Sequence, residues 1–263
     1  MEKLAYLPLK KEKNFNVWAG VLLIVLTVVI TGQITEFNLT EAFLAIPGIV
    51  NFILTDFFPP AVKALPQITS PLLDTFYMAV VATVTSALIS IGLAFLGATP
   101  TTPHLFFKVF IRALASILRN IPALGWTIIL VPAFGIGKLV GVIALTIGSL
   151  GSMIRFYIET IEEIDTGKIE AVRATGGSYW QILRSAVLPQ SLPSLISWTL
   201  YSFELDIRAS TIIGMVGGGG IGFYIQSTIK LFRYDAAAMA IMEVALLVVI
   251  IEFISKKIRE WLL

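Results

Sequence analysis

The chain has no cysteine, and His104 is its only histidine, so disulfides, Cys/His zinc sites and thiol nucleophiles are removed together. A membrane-embedded enzyme would have few groups left from which to build an active site. Charge is scarce as well. Asp, Glu, Lys and Arg make up 14% of the 263 residues, against 57% hydrophobic, and mean hydropathy is +0.88. One soluble core cannot hide that much apolar surface, so a lipid bilayer is the expected solvent. A phosphate-cradling G-x-x-x-x-G-K-[ST] loop is also missing, since Gly137-Lys138 and Gly167-Lys168 fail both at the following residue and at the upstream Gly. No repeat, linker or low-complexity tract divides residues 1–263, which read as a single transmembrane domain.

What the chain does have is a series of uncharged runs. A helix needs about 20 mostly apolar residues to cross the hydrocarbon layer, and six such spans can be laid out. They lie between Lys13 and Glu36, from Asp74 to Gly97, from Ile121 to Gly137, from Leu139 to Tyr157, from Leu192 onward, and from Ala236 to Ile254. All are expected to be helical, because hydrocarbon offers no partner to open backbone groups. The expected fold is therefore an all-α integral membrane protein with six transmembrane helices.

Orientation follows from the basic residues. With the N-terminus in the cytoplasm, the inner segments hold Lys3, Lys10, Lys11, Lys13, Lys108, Arg112, Arg119, Arg155, Lys168, Arg173, Arg184, Lys256, Lys257 and Arg259. The outer ones hold only Lys63, Lys138, Lys230 and Arg233, which puts both termini on the cytoplasmic side. The first span follows a basic stretch, but no small-residue cleavage site follows Thr31, so it reads as an uncleaved anchor.

Residues 36–74 form an outer segment whose uncharged part, Ala42 to Thr55, is short and interrupted by Pro47 and Gly48. It is expected to lie along the interface, as an amphipathic spacer or as a platform for an outer partner. Leu105 to Asn120 mixes phenylalanines with Lys108, Arg112 and Arg119, a spacing that suits a helix skimming the inner face before Pro122 turns it into the third span.

The longest polar interruption, residues 159–190, has more local structure than a connector needs. Asp165 or Thr166 can cap a short helix running to Thr175, and Gly176 and Gly177 can end it in a left-handed turn. Ser178, with Gln181 three positions on, forms a capping box for a second helix, which Pro189 and Pro193 are expected to limit. A rigid helix, turn and helix is the result.

Within it, Glu170, Ala171, Val172, Arg173, Ala174, Thr175 and Gly176 are followed after nine residues by Ala186, Val187, Leu188 and Pro189. This run resembles the EAA signature of ABC-importer permeases, with Val172 and Ala186 as departures. The segments Glu162 to Asp165, Leu188-Pro189-Gln190, Leu200 to Glu204, Arg208 to Thr211 and Gly214 to Gly222 extend the resemblance to the phosphonate-type permeases of that family. The resemblance implies the type I ABC importer permease fold in a plasma membrane. It also implies that Glu170, Ala171, Arg173, Gly176, Gly177, Ser178, Leu188 and Pro189 couple the spans to an ATPase subunit dimer. Glu170 would pair with a basic residue of that partner, and Leu188 and Pro189 would anchor the loop. ATP and Mg would be bound by the partner, with no cofactor in this chain. A second permease copy or paralogue and an extracytoplasmic substrate-binding protein complete the implied assembly, with no nucleic acid. The implied cargo is a phosphonate or a related phosphorus oxyanion. Another small solute, or an ATP-independent secondary transporter, is the alternative.

Candidate residues for the translocation path or gate are Glu204, Arg208, Gly217, Gly219 and Glu243. Ionisable groups inside a span cost about 3 kcal/mol each, so they need partners or water. Glu204 and Arg208 stand four apart in the favourable order for a helical pair, in the middle to outer half of the fifth span. Asp206 points about 200° away and should meet another span, the partner protomer or the outer water. Arg208 either draws an oxyanion through its guanidinium or forms a structural pair with Glu204 or Glu243. Gly217, Gly219 and Gly222 satisfy G-x-G-x-x-G, but no strand-and-helix unit surrounds them; a tight turn or close helix approach near the outer mouth, as gate or as packing, is expected.

Overall fold

The computed structural model describes residues 12–262, and every regular element among them is helical. Lys3, Lys10 and Lys11, which weighed in the expected orientation, lie outside the described residues. The sequence reads as one domain, whereas the chain separates into two compact units, Met1–Thr55 and Asp56–Leu263.

The first unit holds α1 (Glu12–Ile34) and α2 (Leu39–Phe52). Asn38 caps α2, its side-chain oxygen accepting from the N–H of Thr40 at 3.0 Å. A π turn, Ile53–Phe57, follows α2. Pro47 is absorbed inside the helix, so the expected interfacial segment is one helix long and apolar enough to cross a membrane by length and composition.

In the second unit, α3 (Leu65–Gly97) begins nine residues before Asp74, so the end of the expected outer segment is the opening of this helix. Pro66, in the first turn, has no intrahelical N–H bond to lose, which is why the helix starts there. Next come α4 (Leu105–Asn120) and α5 (Ala123–Phe134), bent by 83° at Pro122. At about 1.5 Å per residue, α5 rises about 18 Å, short of a hydrocarbon layer of about 30 Å. The chain continues through α6 (Lys138–Glu162), α7 (Thr166–Ala174) and α8 (Tyr179–Ile182). After α9 (Leu188–Ile213) come α10 (Gly220–Lys230) and α11 (Tyr234–Leu262).

Among the described residues five helices are long and apolar enough to cross: Val17–Ile34, Leu39–Phe57, Val62–Gly97, Lys138–Glu162 and Tyr234–Leu262. The bent pairs α4–α5 and α8–α10 raise the number to seven. The difference from the six expected spans is Leu39–Phe57, a helix with the length and hydropathy of a span despite its internal proline.

The centre of the second unit is α6, which packs against α3, α4, α5 and α9. Met153, Ile154, Tyr157, Ile158 and Ile161 are buried along it and form the main core with residues of α3, α4, α7 and α9. A glycine-rich break separates α9 from α10, with Gly217, Gly219 and Gly220 at φ of 110°, 80° and 66°. Gly137 donates its N–H to the carbonyl of Gly217 at 2.9 Å, and Ile221 donates to Thr75 Oγ1 at 2.8 Å. Lys138 pairs with Asp74 at 2.6 Å beside them. The glycines therefore serve close approach between α3, α6 and α10, and no βαβ unit exists among the described residues.

Candidate coupling and translocation site

Asp165 caps α7, accepting from the N–H of Gly167 at 2.9 Å. The helix ends in a Schellman turn: Gly176, at φ 78°, donates to Arg173 O and Gly177 to Val172 O, both at 3.0 Å. Nothing stands within 4 Å of a Cβ at Gly176, so the backbone angle alone demands glycine there. Ser178 opens α8, and its N–H donates to Gln181 Oε1 at 2.6 Å.

The helix period sorts the loop into two faces. Ile169 is buried and Val172 packs on the main core, while Glu170, Ala171, Arg173, Ala174 and Thr175 are exposed. In α8, Tyr179 and Ile182 join that core and Trp180 stands 76% exposed. An aromatic side chain that open to water next to a polar helix face is a signal the sequence reading passed over. At the base, Glu162 accepts from Thr99 N at 2.8 Å and from Thr99 Oγ1, and pairs with Arg112 at 2.6 Å.

Pro189 and Pro193 do not limit the second helix. A π turn, Leu183–Val187, joins α8 to α9, and Leu188 donates its N–H to Leu183 O, five residues back. Pro189 then falls in the first turn of α9, where its missing N–H costs little, and the widened turn removes the clash its ring would make. Anchoring is done by Ile182, Leu183, Ala186 and Val187, all buried, whereas Leu188 is half-buried and Pro189 exposed.

The charges of α9 pair across to α11, which runs antiparallel to it. Glu204 does not bond Arg208; it takes Arg259 at 2.9 Å, and Arg208 takes Glu252 at 3.4 Å. Glu204 thus sits level with the basic last turns of α11. Residues 204 and 208 are one turn apart on α9, and 252 and 259 are two turns apart on α11. Glu243 is half-buried on α11 and has no ion pair among the described residues, so the expected Arg208–Glu243 pair is not formed either.

Asp206 is 4% exposed and does meet other spans. Thr83 of α3 donates to one carboxylate oxygen at 2.7 Å, and Ser149 of α6 donates to the other. This buried carboxylate joins three helices through two hydroxyls. Beside it lies a cavity of about 230 Å³ lined by Ser149, Ser152, Phe156, Tyr201, Ser202 and Asp206, among others.

The arrangement is that of the type I ABC importer permease fold. Superposition on the MetNI methionine ABC transporter in an inward-facing crystal form gives a TM-score of 0.69 at 22% identity, covering 77% of this chain and 99% of that one. An amino acid ABC transporter gives 0.62 at 19% identity, covering 76% of this chain and 94% of that one. The profile described as "binding-protein-dependent transport system inner membrane component" matches residues 90–262, and the chain belongs to this family as one of its phosphonate-type ABC permeases.

Similar curated proteins include a phosphite transport system permease protein, PtxC, of Stutzerimonas stutzeri. It is 36% identical over 202 residues, covering 77% of this chain and 74% of that protein. The phosphate-import permease protein PhnE of Mycolicibacterium smegmatis is 36% identical over 209 residues, 79% of this chain and 39% of that protein's length. A putative cryptic phosphonate transport system permease protein, PhnE2 of Escherichia coli, is 35% identical over 118 residues, 45% of this chain and 97% of that protein. The chain is a multi-pass plasma membrane protein, a component of a transport system.

Proposed function

We propose that this chain is the permease subunit of an importer for a phosphonate or a related phosphorus oxyanion, driven by a separate ATPase dimer that binds ATP and Mg. The observation that carries the reading is the two-faced loop: an apolar side rooted in the main core and an exposed side of Glu170, Ala171, Arg173 and Trp180. A capped helix closed by a Schellman turn is stiff, and stiffness is what force transmission from a docked ATPase requires. Glu170 pairs with a basic group of that partner, and Trp180 buries its ring there. In this reading both termini face the cytoplasm with the loop, which requires that Leu39–Phe57 lie along the interface and that six helices cross. A second permease copy or paralogue completes the pathway, and an extracytoplasmic binding protein delivers the cargo. Glu204, Arg208, Glu243 and the Gly217 and Gly219 turn belong to the path or its gate. The phosphorus cargo is supported by the relatives named for phosphite, phosphate and phosphonate.

Co-purification tests the reading. The detergent-extracted chain should carry an ATPase subunit with it, and Glu170→Arg with Trp180→Ala should release that subunit while leaving the permease folded. Uptake of a phosphorus oxyanion by this chain alone, without ATP, would refute the proposal in favour of a secondary transporter.

A further inference from the structure

On α4, Arg112, Ala115, Ser116 and Arg119 recur at i, i+3, i+4 and i+7, and so share one face. On α6, Arg155, Ile158 and Glu159 do the same at i, i+3 and i+4. These seven residues line a cavity of about 270 Å³ on the side of the protein that carries α7. The two helices come close because α6 has glycine where α4 crosses it. A Cβ at Gly151 would stand 2.6 Å from Arg119 N and 2.8 Å from Ala115 O. The groove beside that crossing is what the arginines surround.

Charge in this cavity is not balanced. Arg155 pairs with Glu159 at 2.7 Å, and Arg112 pairs with Glu162 at 2.6 Å just beyond the lining. Arg119 makes no ion pair among the described residues, which leaves one guanidinium in surplus. Arg112 and Arg155 are 40% and 50% exposed, so both keep donors free for a further acceptor. A planar fork of donors suits the oxygens of a phosphate group.

The rest of α4 indicates where that phosphate comes from. Phe106, Phe110 and Ile117 form an exposed apolar stripe on another face of the same helix, and Phe106 stacks on Phe110 with ring centroids 5.9 Å apart. In a membrane protein such a stripe faces acyl chains, which brings the arginine face of the same helix to headgroup level. We infer that Arg112, Arg119 and Arg155 form a binding site for the phosphodiester of an anionic lipid headgroup. The site lies at the α4–α6 crossing, next to the base of the α7–α8 loop. It does not depend on the cargo or on the ATPase.

Native mass spectrometry of the full chain, titrated with phosphatidylglycerol, phosphatidylcholine or inorganic phosphate, tests this. Phosphatidylglycerol should bind in preference to phosphatidylcholine, and equimolar inorganic phosphate should not displace it. Arg119→Gln breaks no ion pair and should weaken phosphatidylglycerol binding about fivefold, while Arg119→Lys retains most of it. Equal binding of the two lipids by the unaltered chain overturns the inference, as does binding unchanged in both Arg119→Gln and Arg155→Gln. Displacement by inorganic phosphate overturns the lipid assignment and makes the site one for a soluble oxyanion.

Discussion

The α7–α8 loop and the α9–α11 interface are both polar, but they are built on different scales. Every bond that shapes the loop closes within five residues of its donor, from Asp165 to Gly167 and from Gly177 to Val172. Across the interface, Arg208 reaches Glu252 over 44 positions and Glu204 reaches Arg259 over 55. On another face of α9, Asp206 reaches Thr83 of α3 over 123. Local bonds make an element that holds its own shape; distant ones make elements that hold one another. Damage to the loop should therefore change transmission with the fold retained, and damage to the interface should change the fold itself.

The interface offers the largest test of that difference. Arg259→Ala leaves Glu204, only 8% exposed, without its partner, and should cost about 3 kcal/mol, read as a lowered melting temperature in detergent. Replacing both residues with leucine should recover most of the loss. Asp206→Ala comes next. It strands the hydroxyls of Thr83 and Ser149 and should cost about 1–3 kcal/mol, with Asp206→Asn milder because it keeps an acceptor.

In the loop, Gly176→Val forces a β-branched residue to φ 78° and should cost about 1–2 kcal/mol, confined to α7. Uptake should fall while global melting stays close to that of the unaltered protein, and Gly176→Asn should retain uptake. Equal losses of melting temperature in Gly176→Val and Arg259→Ala would erase the distinction. The smallest effect belongs to Arg208→Gln. Its 3.4 Å pair with Glu252 is about half exposed, so stability should change by about 0–1 kcal/mol. A loss of uptake in that variant at unchanged stability would assign Arg208 to the cargo path.

The same contrast governs what could be read before the structure. The caps at Asp165, Gly176 and Ser178 were legible because each is a rule about residues a few positions apart. The crossing helices were legible because hydropathy is summed over a window. The continuity of Leu39–Phe57 was not legible because Pro47 and Gly48 were weighted as breaks, although a proline inside a helix can be absorbed at modest cost in an apolar setting. The same weighting stopped the second loop helix at Pro189, where a π turn carries it on. The partners of Glu204, Asp206 and Arg208 were out of reach for a different reason. Spacing along one helix predicts which residues share a face, not which helix that face meets. Trp180 and Glu162 could have been found, the first as a bulky apolar residue inside a polar loop, the second as an acid closing a span.

The π turn at Leu183–Val187 works like a splice in a drive shaft. Because it holds one residue more than an α-helical turn, everything on the loop side of it is offset by about 100° from where an unbroken helix would put it. Deleting one residue within the splice would leave the length of α8 and α9 almost unaltered, yet swing Trp180 about a quarter-turn from its present direction.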